Sequence, residues 1–186
     1  MTDELVEPAE HAAEGPVDDL RIAAFWQAAR GHVGFGKMDQ VLGGSTEDVL
    51  APPAWSFGDN PALADQLLTL VLDGRKTATS TALVELTDVG LETPRVGELS
   101  IVTDSAGEPR ALLRTTQVDV VPFDRVSAEH AAAEGEDDLT LESWQAQHET
   151  YWRRVLGDDR FSTTMDVVTE RFELIYPTTG PTPAVD

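Results

Sequence analysis

Leu63, Leu67 and Val71, with Ala64, Leu68 and Leu72 beside them, recur three to four residues apart and predict an amphipathic helix that starts at Pro61. Asn60 can cap it, and Pro61 suits the first turn, where an N–H would have no intrahelical partner. Gly74 suits the left-handed residue that ends it, which places Lys76 just past the helix, at the mouth of the next element. Upstream, Asp18 can cap a first helix running to about Arg30 that buries Leu20, Ile22, Phe25, Trp26 and Ala29 before Gly31 stops it. Downstream, strand patterns occupy 77–86, 98–103, 111–121 and 165–176, and the turn DSAGEP joins the second and third as a hairpin.

Two helices interrupt the strands. A short one is expected near Ser127 to Ala133, and a longer one from Leu141 to Leu156, with Thr140 as its cap, Leu139 and Trp144 as a hydrophobic staple and Gly157 at its end. A few strands with inserted helices predict an α+β fold around a small, partly closed sheet rather than a doubly wound parallel one. Residues 31–56 form a long connection that packs as a strap or lies over a site as a lid. The expected organisation is an acidic disordered tail over 1–16, the N-terminal helix and connection over 17–54, a domain over 55–176 and a proline-containing disordered tail over 177–186.

Charge narrows the functional classes. The formal net charge of -21 repels polyanions over most of the surface, so phosphate recognition requires a local basic cleft. The absence of cysteine excludes disulfides and thiolate metal sites, and His11, His32, His130 and His148 have no metal-ligand spacing. No cofactor is predicted; a divalent ion is expected only if the activity is nucleolytic. Neither a signal-peptide pattern nor a membrane-length apolar run is present, which predicts a soluble cytoplasmic protein without a membrane partner. No specific protein partner is indicated.

Lys76 is one of two lysines in the chain. It can hold a phosphate, polarise a carbonyl or activate one of the hydroxyls of Thr77, Thr79 and Thr81, or it can simply sit solvated at a helix C-terminus. Ideal strand alternation sends positions 76 and 79 to opposite faces, so the two converge only if Lys76 lies in the turn or a bulge intervenes. The segment AEGEDD, 133–138, lies in a span free of lysine and arginine, and Glu134 or Glu136 could meet Lys76 if the loop folds over the sheet. Alternation on 111–121 puts Arg114 on one face with Leu112, Thr116, Val118 and Val120, and on the last strand puts Glu170 with Val168, Phe172, Leu174 and Tyr176. Both suggest a polar patch on the inner face, or else Arg114 and Glu170 pair structurally or one of them snorkels at a strand end. The long helix presents Trp144, His148, Tyr151 and Val155 as one stripe, in which His148 could donate to a substrate or act as an acid or base.

These residues resemble the ASCH domain family. The likeness runs through FGDNPALADQLLTLVLDGRKTATST, PRVGELSIVTDSAGEPRALLRTTQVDVVPFDRV, AEGEDDLTLESWQAQHETYW and VVTERFELIYP, with Gly74, Lys76 and Thr79 as its most telling local motif. The resemblance implies a small PUA-like β-barrel with flanking and inserted helices and, here, an N-terminal helical extension. It also implies a cleft facing RNA, a nucleoside or a nucleotide. Among relatives it suggests two activities, ribonuclease action and amidohydrolysis of 4-acetylcytidine. In the first, Lys76, Arg75 and Arg114 hold phosphate or base oxygens and Thr79 and Glu136 are candidates for the chemistry, with Thr77, Trp144, His148 and Tyr151 as further binding residues. In the second, Thr79 attacks the acyl group, Lys76 activates it and Glu136 orients the lysine. A non-catalytic ligand-binding module is the third reading.

Overall fold

The computed structural model describes residues 16–33 and 50–178. The two expected tails and the middle of the 31–56 connection therefore lie almost wholly outside the described residues. The chain forms α1 (Pro16–Ala29), a 3-10 turn (Arg30–Val33), β1 (Ala54–Trp55), α2 (Pro61–Leu72), β2 (Ala78–Ala82) and α3 (Leu83–Asp88). It continues through β3 (Leu99–Thr103), β4 (Pro109–Pro122), α4 (Ala128–Glu134), α5 (Leu141–Leu156) and β5 (Asp166–Tyr176). The five strands make one sheet in the order β1-β3-β4-β5-β2. β1 runs parallel to β3, and every other pairing is antiparallel.

The fold is α+β as expected, but the barrel is not closed: β1 and β2 are the two edges of the sheet among the described residues. Capping chemistry accounts for the helix limits. Asn60 accepts from the Leu63 N–H at 3.0 Å, Ser127 from His130 at 3.1 Å and Thr140 from Ser143 at 3.1 Å. Asp18, by contrast, lies inside α1 rather than at its cap, and Leu20 is 73% exposed; Trp26 and Ala29 are the residues α1 buries. The strand expected over 77–86 stops at Ala82, where α3 begins and Glu85 turns back to accept the Ala82 N–H at 3.0 Å.

Three apolar clusters flank the sheet. α2 packs Leu67, Leu68, Leu70 and Val71 with Phe57 against Val102, Ala111, Leu113 and Phe172. α1 packs Trp26 and Ala29 against Ile101 and Leu112, so neighbouring residues of β3 and β4 feed different clusters, as strand alternation requires. α4 and α5 supply Ala131, Trp144 and Trp152, which meet Ala82, Phe123, Phe161 and Val167. The anchor of α5 is thus Trp152, fully buried, rather than the outer end of the predicted stripe, since Val155 is 41% exposed.

A bulge in β4 overturns the predicted face. The β4–β5 register shifts between Thr115 and Gln117, so one extra residue on β4 reverses the side-chain parity. Thr115, not Arg114, reaches Glu170, donating its hydroxyl at 2.6 Å. Arg114 pairs with Glu173 at 3.1 Å and donates to the Val33 carbonyl at 3.0 Å. An Arg114–Glu170 pair does not form.

Candidate functional site

Lys76 occupies the turn between α2 and β2. After Gly74, at φ +71°, the N–H groups of Arg75 and Lys76 both donate to the Leu70 carbonyl, at 2.9 and 3.0 Å. Lys76 precedes the strand rather than belonging to it, so strand alternation does not dictate its direction. Its side chain is nearly inaccessible, with the residue 2% exposed. Nζ lies 2.5 Å from Glu136 Oε1 and 3.3 Å from Glu134 Oε2, and 5.4 Å from the centre of the Phe57 ring. A buried ammonium is tolerable only with such partners.

Gly135 makes the meeting of these segments sterically feasible. It ends α4 at φ +74°, and a Cβ there would come within 2.4 Å of the Arg75 carbonyl oxygen. The Thr77 N–H donates to the Ala133 carbonyl at 2.8 Å, tying the same two segments together. Glu134 and Glu136 therefore flank the one residue that can press against the lysine turn.

Glu134, 2% exposed, is the hub. Its Oε1 accepts from the Ser80 hydroxyl and from Trp144 Nε1, both at 2.7 Å. Because the single Ser80 proton goes to Glu134, His130 Nε2, 2.9 Å from Ser80 Oγ, is the donor in that contact. His148 Nδ1 lies 3.0 Å from the Trp144 carbonyl, which can only accept, so Nδ1 carries a proton and Nε2 faces Glu134 at 3.8 Å. Burial by itself would raise the Glu134 carboxyl, but Lys76, the His130 and Ser80 contacts and His148 hold it well below the ordinary carboxylate range.

The cavity beside this hub has a volume of about 790 Å³. Lys76, Thr79, Ser80, Glu134, Glu136, His148 and Tyr151 all line it, as do residues of the 55–60 segment. Of the proposed site residues, the fold brings Lys76, Thr79, Glu136, His148 and Tyr151 to this cavity. Trp144 lies just behind it, its indole spent on Glu134. Arg75 and Thr77 are exposed and do not line it, and Arg114 is engaged elsewhere with Glu173 and Val33. The Tyr151 hydroxyl is pushed up to about 12 by burial and by Glu85, so at neutral pH it is a phenol that donates and not a base.

The cleft is not basic. Its charged lining comprises Lys76 and Arg154 against Asp59, Glu85, Glu134, Glu136 and Asp137. Arg154 is ion-paired with Asp59 across the cleft, and Lys76 already holds two glutamates. The sequence reading missed Ser80, His130 and Glu85 as site residues and weighed Glu134 without placing it in the site. The one available signal was the four-residue spacing of His130 and Glu134, which puts both on one face of α4. Among the described residues no group of three or more histidine, aspartate or glutamate side chains could hold a metal ion. No described helix is long and apolar enough to cross a membrane.

A family model described as the ASCH domain matches residues 53–176, more than half of the chain, and the protein belongs to that family. Solved structures agree. A protein from Enterococcus faecalis V583, described under the family label DUF984, is 29% identical with a TM-score of 0.68, over 84% of this chain and 91% of that one. An ASCH domain from Lactobacillus crispatus JV V101 is 26% identical with a TM-score of 0.64, over 81% of this chain and 98% of that one. No curated protein matches the chain.

Proposed function

We propose that the cleft binds a nucleoside-sized ligand and hydrolyses an acyl amide on it, with 4-acetylcytidine as the representative substrate. The observation that carries this reading is the buried Lys76 ammonium, 2.5 Å from Glu136 and 3.3 Å from Glu134, at a cavity that Thr79 also lines. A nucleophile beside a lysine that a carboxylate orients is the general pattern of activated hydroxyl catalysis.

In this scheme a carboxylate takes a proton from Lys76, and the freed amine takes the Thr79 proton as Oγ attacks the carbonyl carbon. The C–N bond breaks as Lys76 returns that proton to the departing amino group. Water then cleaves the acyl-threonine ester, releasing the acid and restoring the hydroxyl, and the carboxylate returns its proton to Lys76. Glu134, fixed by Ser80 and Trp144, positions the lysine, and Glu136, nearer to it and less enclosed, exchanges the proton.

Charge favours a neutral ligand over a long RNA. A phosphate entering the cleft meets three carboxylates beyond the two that share Lys76, and among the described residues only Asp59 of these three is ion-paired. The test is release of acetate and cytidine from 4-acetylcytidine, followed by chromatography. Thr79→Ala should reduce kcat/KM by at least about 100-fold, the low end for loss of a group acting in proton transfer or attack. Turnover that survives Thr79→Ala, or cleavage of RNA without release of acetate, would remove this reading.

A further inference from the structure

β2 is an edge strand, and its register shows which way its main chain points. The Phe172 N–H donates to the Thr77 carbonyl at 3.0 Å, and the register continues through Thr79↔Glu170 and Thr81↔Val168. In an antiparallel pair, hydrogen-bonded and non-hydrogen-bonded residues alternate. The Thr77 carbonyl and the N–H and C=O of Thr79 and Thr81 therefore face β5, and the N–H and C=O of Ser80 face away from it. Ala82 shares the parity of Ser80, and its N–H goes outward to Glu85, a residue of the cavity wall.

Thr79, Ser80 and Thr81 all line the cavity. Three consecutive strand residues send their side chains to alternate faces, so what they share toward one space is the strand edge. The Ser80 hydroxyl is already committed to His130 and Glu134. Its main-chain N–H and C=O take no hydrogen bond among the described residues. Such groups at a cavity edge are available to a ligand, which can provide their partners.

We infer that the Ser80 peptide groups are the specificity-determining contact of the cleft, reading an adjacent acceptor and donor on the edge of a planar ring. One extended residue projects its N–H and C=O side by side in one direction. The matching ligand edge is that of a 4-acylaminopyrimidine, whose ring N3 accepts from the N–H while the exocyclic N–H donates to the C=O. This orientation holds the scissile amide nitrogen against the strand that carries Thr79. The inference rests on the hydrolase reading and deepens it.

A protein–ligand cycle tests it by calorimetry in the Thr79→Ala background, where the ligand survives. The ligands are 4-acetylcytidine and its 3-deaza analogue, in which C–H replaces the N3 acceptor. With Ser80 present the parent should bind about tenfold tighter, the worth of one hydrogen bond. Ser80→Pro removes the N–H at no cost to the ladder, because that group faces away from β5. The gap should persist in Ser80→Ala, which keeps the N–H, and vanish in Ser80→Pro. Equal binding of the two ligands in the Thr79→Ala protein, or a gap that survives Ser80→Pro, overturns the inference, and acetate release by the parent protein would leave the hydrolase reading intact. If that protein binds neither ligand and the parent releases no acetate, both fall together. Should Ser80→Pro fail to fold, relative turnover of the two ligands by the parent protein decides: equal kcat/KM overturns the inference and a tenfold preference supports it.

Discussion

Lys76 is buried with two carboxylates, and its role in the fold can be separated from its role in chemistry. Lys76→Met keeps the apolar stem but strands Glu134 without its cation, and breaking a buried pair from one side costs about 3–5 kcal/mol. The double variant Lys76→Met with Glu134→Gln removes both charges of the fully buried pair, leaves the more exposed Glu136 to solvent and should recover much of that loss, since Gln can still accept from Ser80 and Trp144. Urea denaturation of the two proteins measures the difference. If the double variant is no more stable than Lys76→Met, the charge imbalance is not what Lys76 relieves. Both variants should lack amide hydrolysis, because stability without an amine at position 76 does not restore proton transfer.

Between elements, the critical joint is the approach of the α4 terminus to the α2–β2 turn. Gly135→Ala puts a side chain on a residue at φ +74° and within 2.4 Å of the Arg75 carbonyl, so the two segments must separate. The left-handed backbone alone costs roughly 1–2 kcal/mol, and displacement adds to it. We expect a loss of at least about 2 kcal/mol by urea denaturation, together with reduced turnover, because Lys76 moves relative to Glu134 and Glu136. Unchanged stability in this variant would show that the joint is not tight. Strand limits illustrate a different level of control. The apolar rhythm of α2 and α5 was legible in the sequence because each helix packs a single stripe. Conversion of the 83–88 segment into a helix was not, because it depends on Glu85 being drawn to Ala82, Tyr151 and Trp152.

Across the whole molecule, the buried Glu134 and the half-buried Glu170 pull stability in opposite directions with pH. Glu134 is held far below its ordinary value near 4.5, so the stabilisation it provides is complete above that pH and is lost as pH falls toward its folded value. Glu170 is raised from 4.5, first by burial, with the Thr115 hydrogen bond opposing and Glu98 adding to the rise. Its contribution is present below pH 4.5 and disappears as pH rises through the folded value, leaving a penalty at neutral pH. Glu170→Gln should therefore raise the melting temperature at pH 7 by about 2 °C, with Thr115 still donating to the amide oxygen, and the gain should shrink toward zero at pH 4. A less stable variant at pH 7 would show that the carboxylate has a partner that outweighs its burial. The overall charge of -21 adds a background of self-repulsion that salt will screen in parent and variant alike.

Local chemistry in the sequence determined most of the helices, their caps, the turn that places Lys76 at the head of β2 and the family to which the chain belongs. Each of these depends on residues a few positions apart, so spacing and residue type suffice. Only the tertiary structure decided that the sheet stays open, that the β4 bulge gives Glu170 to Thr115 and Arg114 to Glu173, and that carboxylates outnumber cations in the cleft lining. It also chose Glu134 as the hub, through contacts from Lys76, Ser80, His130 and Trp144. Those outcomes rest on a one-residue register shift and on which distant loops share a buried volume, and neither is a property of any short stretch of chain.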